Sequence, residues 1–260
     1  MKFRRSINAP ARLALVVLFA CVAFASSAPG PLKICLLSAS AEYESDKSLR
    51  EFQSFLEQGA RIECQRAFGS DKGAGLPGLE ALNVADLLIV FTRRVTLPPA
   101  QLALLKKYLA AGKPVIGLRT ASHGFQNYPE FDREILGGGY KGHHPNSEVA
   151  VRIAAGRSAH PLLSGVADFT SRKLYRNPTL ADDVVVLLEG TTTAGREPLA
   201  WVRERNGGRV FYTSLGTPED FRQESFRRLL VNAVFWTTRH DPAAFRKATA
   251  LTNGAPSSSP

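Results

Sequence analysis

Gly112-Lys113-Pro114-Val115-Ile116-Gly117-Leu118-Arg119-Thr120-Ala121-Ser122-His123-Gly124 is the stretch that decides the fold. The residues after Pro114 have the length and apolar character of a buried strand, and they run directly into a turn of small and polar residues. In open α/β sheets, ligands gather where strands end and helices begin. A nucleophile elbow places Ser or Cys at the centre of such a turn. Here the centre is Arg119, so the turn has the form of a site without its usual nucleophile.

On the N-terminal side, strand and helix signals alternate. Residues 32–38 (LKICLLS) form a near-continuous apolar run of buried-strand length. Ser45 is placed to cap a helix that carries Leu49, Phe52, Phe55 and Leu56 and closes at Gly59. Residues 61–67 read as a second strand, and the Gly-rich segment 69–78 as a loop. Residues 86–91 (DLLIVF) are the clearest buried strand, and Pro98-Pro99 open a helix with Leu102, Leu105 and Leu109 that ends at Gly112. Strands interleaved with helices predict βαβ units, and hence a three-layer α/β sandwich with a mostly parallel sheet.

The second half is less regular. Residues 149–153, 184–188, 199–203 and 209–214 read as strands, with a hairpin signal at Asn206-Gly207-Gly208. A closing helix over 226–236 carries Leu229, Leu230, Ala233 and Val234. No internal repeat is visible. The isolated cysteines Cys35 and Cys64 fall in predicted strands that could neighbour each other, but such residues usually serve as core. Their spacing makes no metal site.

The termini differ from this body. Lys2, Arg4, Arg5 and Arg12 precede an apolar stretch over 13–24, and Ala23-Phe24-Ala25 has the small-residue pattern of a cleavage site. Residues 1–25 therefore read as a signal peptide, giving an exported chain, periplasmic or secreted. The apolar core falls short of the ~20 residues of a membrane span, so no stable span is expected in the mature chain. Leu18-Phe19-Ala20-Cys21 matches a lipoprotein cleavage box only loosely. Removing four basic residues lowers the net charge from +10 to +6, and the remaining cations lie scattered among acids without a nucleic-acid-binding stripe. Residues 239–260 read as a C-terminal tail, partly disordered, with a Ser/Pro-rich end.

Polar residues cluster near predicted strand ends. Glu42 and Tyr43 follow the first strand, Arg119, Ser122 and His123 the fourth, and Thr217 and Glu219 the last. Lys141-Gly142-His143-His144 follows the triple glycine 137–139, which lacks the Gly-Lys-Ser/Thr ending of a phosphate loop. No cofactor is implied. Tyr175 and Trp201 are as readily core residues as platforms for a sugar ring, and His160-Pro161 reads as the start of a loop.

Together GKPVIGLRTASHGF (112–125), GGGYKGHHPNSEVAVRI (137–153), His160-Pro161 and GGRVFYTSLGTPEDF (207–221) followed by FRRLLVNAVFW (226–236) resemble the trehalose-utilisation (ThuA-like) family. The resemblance spans residues 32–238. It implies the class I glutamine amidotransferase-like fold, which is flavodoxin-like, and a link to sugar metabolism. Related amidotransferases carry Cys at the elbow and His after a late strand, and many ThuA-like proteins carry His at both positions. Here those positions are Arg119 and Thr217, so glutaminase activity is not expected.

The leading expectation is a carbohydrate or sugar-derived ligand held at the strand-end cleft. Glu42, Tyr43, Arg119, Ser122, His143 and Thr217 would bind it, and His123 and Glu219 would move protons. Two alternatives accompany it. One is a non-catalytic binding module. The other is a metal-dependent hydrolase in which His123 and one of the adjacent His143 and His144 join Glu42, although neighbours on an extended segment point apart.

Overall fold

The computed structural model describes residues 30–245. The signal peptide expected over 1–25 and most of the expected tail lie outside these residues. The chain runs β1 (Leu32–Ala39), α1 (Ser45–Gly59), β2 (Ile62–Phe68), β3 (Leu87–Thr92), α2 (Pro99–Ala110) and β4 (Val115–Leu118). It continues through β5 (Glu148–Ile153), β6 (Phe169–Arg172), β7 (Val185–Thr192), β8 (Gly195–Arg205) and β9 (Gly208–Thr213), and ends in α3 (Pro218–Arg222), α4 (Glu224–Thr238) and α5 (Pro242–Phe245).

One nine-stranded sheet has the order β2-β1-β3-β4-β9-β8-β7-β5-β6. The four ladders joining β2, β1, β3, β4 and β9 are parallel. The four joining β9, β8, β7, β5 and β6 are antiparallel. The sheet is therefore mixed, and the expectation of a mostly parallel one is corrected. The cause lies in the connections. Only Thr193-Ala194 separates β7 from β8, and only Asn206-Gly207 separates β8 from β9. Two residues close a hairpin, whereas a parallel crossover needs about a dozen or more. Asn206 (φ 51°) and Gly207 (φ 80°) both take the left-handed conformation that a tight hairpin turn requires.

Covering helices divide the core between the two faces. Ile34 and Leu36 of β1 face α1 and α4, while Cys35 and Leu37 face the α2 side. All six residues of β3 are buried, as a strand covered on both faces demands. In the β1–β2 register Ile34 stands beside Cys64, so Cys35 and Cys64 project to opposite faces and remain free thiols. Burial pushes the Cys35 thiol up to about 12.

Ser45 does not cap α1. It is the first helical residue, and Glu44 precedes it in a left-handed conformation. The Ser45 hydroxyl accepts the Ser40 N–H at 2.9 Å and pairs with Ser38 Oγ at 2.7 Å. It thereby ties the end of β1 to the helix start. Among the described residues, no helix is long and apolar enough to cross a membrane.

Candidate functional site

β1, β3, β4 and β9 run the same way, so their carboxyl ends share one edge of the sheet. From β1 the chain goes first to β2 on one side and then to β3 on the other, which makes this edge a topological switch point. Glu42 and Tyr43 follow β1, Arg93 follows β3, Arg119–His123 follow β4 and Thr217 follows β9. The antiparallel half adds Lys173 and Tyr175, just beyond β6.

Arg119 enters its turn at φ 44°, a conformation that strains any residue with a Cβ. Its side chain is fully buried. The guanidinium lies 4.1 Å from the Tyr43 ring centroid and 4.8 Å from that of Tyr175. Nη1 donates to the Ser214 carbonyl at 2.6 Å, while Nε and Nη2 have no hydrogen-bond partner among the described residues. Burial works against the charge, but Tyr175, Tyr43 and Asp220 outweigh it and raise the pKa. Arg119 lines neither of the two cavities at this edge among the described residues. Of the two tyrosines it packs against, Tyr43 lines a cavity at this edge and Tyr175 is buried.

His123 stacks on Tyr140 at 4.5 Å and 17°, and Tyr140 lies 4.7 Å from Tyr175. A chain of contacts thus runs Tyr43–Arg119–Tyr175–Tyr140–His123. Burial, followed by Arg94 and Arg93, lowers the His123 pKa to about 4. The ring is neutral at pH 7. An NMR titration is expected to show its protonation midpoint near 4, against an ordinary value of about 6.5. Because the unfolded chain binds this proton first, His123 removes stability as pH falls from about 6.5 to about 4, by about 3 kcal/mol in all. A midpoint above 6 would contradict this environment.

Glu42 pairs with Lys173 at 2.7 Å and with Arg93 at 3.8 Å. Burial alone would raise its pKa, but Lys173, Tyr43 and Arg93 together hold the carboxyl below its ordinary value. Thr217 caps α3 in a reciprocal box: its hydroxyl accepts the Asp220 N–H at 3.3 Å, and Asp220 Oδ2 accepts the Thr217 N–H at 2.9 Å. Glu219 is exposed beside Arg222, 3.4 Å away, and its own backbone N–H leads the contacts that depress its pKa.

The cleft is two cavities. One, of about 580 Å³, is lined by Glu42, Tyr43, Lys173, Thr217 and Glu219 among others. The other, of about 600 Å³, is lined by Ser122, His123, Asp132, Tyr140, Lys141 and Thr179 among others. The contact chain from Tyr43 to His123 joins them.

The model of the trehalose-utilisation family, ThuA, matches residues 33–237. The chain belongs to the ThuA family. Its fold is shared with a ThuA-like protein from Bacteroides uniformis (20% identity, TM-score 0.62, covering 84% of this chain and 98% of that one). A ThuA-like protein from Parabacteroides merdae matches similarly (18% identity, TM-score 0.62, 80% and 90%). A β-galactosidase from Rahnella sp. R3 contains a segment of similar fold (10% identity, TM-score 0.53, 82% of this chain and 32% of that one). No curated protein matches the chain.

In this ThuA domain, His143 stands apart from the other candidates. It is exposed, its Nδ1 lies 2.7 Å from the His144 carbonyl oxygen, and it lines neither cavity. His144 bonds Glu197 at 2.9 Å, and Glu197 also accepts the Asn177 N–H. Neither histidine joins His123. Among the described residues, no three His, Cys, Asp or Glu side chains are placed to share a metal ion. Tyr175 and Trp201 are buried, Trp201 donating to the Leu136 carbonyl at 2.7 Å. His160 accepts the Leu162 N–H through Nδ1 at the start of its loop.

Several residues of the ThuA domain enter the site that the sequence did not announce, among them Arg93, Thr179, Tyr140, Lys173 and Asp132. Asp132 is 8% exposed, and its Oδ2 accepts the Tyr140 N–H at 2.9 Å while Oδ1 has no hydrogen-bond partner among the described residues. Burial pushes its carboxyl up to about 6, against the opposing pull of Tyr140 N–H and Lys141. The triple glycine explains the packing. A Cβ at Gly138 would overlap Asp132 Oδ1, and one at Gly139 would overlap Thr179. An aromatic residue directly after a glycine run was a readable signal for Tyr140. Lys173 gave none, because its partner Glu42 lies 131 positions away.

Proposed function

We propose that this ThuA protein is exported and binds a carbohydrate or sugar-derived metabolite in the cavity beside His123. The observation that carries the reading is the lining of that cavity. The stacked His123 and Tyr140 stand beside the Ser122 and Thr179 hydroxyls, the Asp132 and Asp182 carboxyls and the Lys141 ammonium. Sugars offer apolar C–H faces to aromatic rings and hydroxyl edges to donors and acceptors, and a concave site needs a few such groups converging. Membership of a trehalose-utilisation family supports the ligand class, and the basic-then-apolar N-terminus supports export.

The chemistry of the edge favours binding over turnover. A guanidinium at the elbow centre is no nucleophile, Thr217 is no base, and neither cysteine lies at the edge. These points support the absence of glutaminase activity. An imidazole with a pKa near 4 is a weak base, and Glu42 and Glu219 are held ionised, so none is tuned for proton transfer at neutral pH. Neutral His123 instead exchanges hydrogen bonds with a ligand, and Asp132, whose carboxyl is raised to about 6 in the same cavity, is the group best poised for any proton transfer there.

Calorimetric titration with a panel of mono- and disaccharides and sugar acids tests this. His123→Ala and Tyr140→Ala are each expected to weaken the best wild-type ligand about tenfold or more, as loss of a hydrogen bond plus ring contact implies. Absence of wild-type binding across the panel, or equal binding by both variants, would defeat the proposal.

A further inference from the structure

The Ser122 hydroxyl contacts the ring of His123, and the proton arrangement around it is constrained. Ser122 Oγ lies 3.1 Å from His123 Nδ1 and 3.3 Å from the Arg119 carbonyl oxygen. That carbonyl also accepts the Tyr212 hydroxyl at 2.8 Å. A serine hydroxyl has one proton to give. If it points at Nδ1, the contact between Ser122 Oγ and the Arg119 oxygen becomes lone pair against lone pair in a buried setting. If it points at the Arg119 carbonyl, Ser122 Oγ is free to accept Nδ1–H, and both contacts are attractive. Tyr212 satisfies the Arg119 oxygen in both cases, so the choice rests on the Ser122 contacts, and only the second arrangement makes both of them attractive.

From this geometry we infer that Ser122 is a positioning residue: it fixes His123 as the Nδ1–H tautomer and leaves a bare Nε2 to accept a hydrogen bond from the ligand. Among the described residues, Nε2 takes no hydrogen bond, and the ring lines the 600 Å³ cavity. The partner of one ring nitrogen decides what the other can do. The preferred ligand must therefore present an O–H or N–H at this point, and a ligand offering only an ether or carbonyl oxygen there would meet two opposed lone pairs. The inference builds on the proposed ligand cavity but is tested without any ligand.

The experiment is a two-bond ¹H–¹⁵N correlation spectrum of the histidine rings in ¹⁵N-labelled, ligand-free protein at pH 7.5, with His123 assigned by its loss in His123→Gln. Wild type is expected to show Nδ1 protonated and Nε2 bare. In Ser122→Ala the ring loses its acceptor and the Nε2–H form appears, while Ser122→Thr retains the wild-type pattern. A wild-type ring protonated at Nε2, or an unchanged tautomer in Ser122→Ala, overturns the inference. The wild-type spectrum alone is decisive if the alanine variant fails to fold. Failure of the sugar panel with this tautomer intact would reject the ligand class and leave the Ser122 role standing.

Discussion

Arg119→Ala is expected to lower the unfolding free energy by about 3–5 kcal/mol, the range seen when the largest buried side chains are truncated. Arg119 is among the largest fully buried side chains, and its removal empties the space between Tyr43 and Tyr175 and orphans the Ser214 carbonyl. Two further variants separate the causes. Arg119→Gly relieves the strain at φ 44° and should recover about 1 kcal/mol of that loss. Arg119→Met keeps most of the volume and removes a charge whose Nε and Nη2 are unpaired, so it should cost far less than alanine. Urea unfolding at constant m-value measures all three. A loss below 1 kcal/mol in Arg119→Ala would show that the tyrosines do not depend on the guanidinium.

Asp132→Asn should have the opposite sign. A carboxyl whose pKa rises to about 6 on folding adds stability below about 4, and loses it as pH climbs through 6. At pH 8 the wild type carries that cost in full, about 3 kcal/mol for a shift of this size. Asparagine keeps an oxygen for the Tyr140 N–H and cannot ionise, so the variant should be about 1–3 kcal/mol more stable at pH 8. The pH profile sharpens the test. Between about 4 and 6, Asp132 and His123 pull in opposite directions and flatten the wild-type curve. Removing Asp132 unmasks His123, so the variant should lose stability steadily as pH drops below about 6.5. A wild-type curve of the same shape as the variant's would place the Asp132 carboxyl outside this environment.

The parallel half of the fold was legible because each strand is an apolar run punctuated by glycine, proline or a helix. DLLIVF became β3 almost residue for residue, and the run ending at Leu118 became β4. Periodicity reveals a strand's existence but not its direction, so the antiparallel half was misassigned as a class even though most of its strands were found. The corrective signal was present: Asn206-Gly207 leaves no room for a crossover. β6 escaped altogether, since FTSR is a four-residue edge strand with only Ser171 buried. At the site, Tyr43, Ser122 and His123 were readable from their place after strand ends. Arg119 was read as reaching the ligand, yet a positive φ turns its side chain inward beneath two rings. His143 looked like a cleft residue only because sequence cannot show that its neighbour His144 is held by Glu197, 53 positions away.

The place of β9 has a consequence for how the chain is made. It is the last strand synthesised, and it sits between β4 and β8 in the finished sheet. Until residues 208–213 emerge, the earlier strands can form two partial sheets, each with an open edge that the other cannot close directly. Open edges invite pairing with other chains, and pairings between distant segments form slowly. The interval between the appearance of β4 and that of β9, about ninety residues of elongation at roughly 5–20 residues per second, is the period in which this protein most needs protection from its own kind.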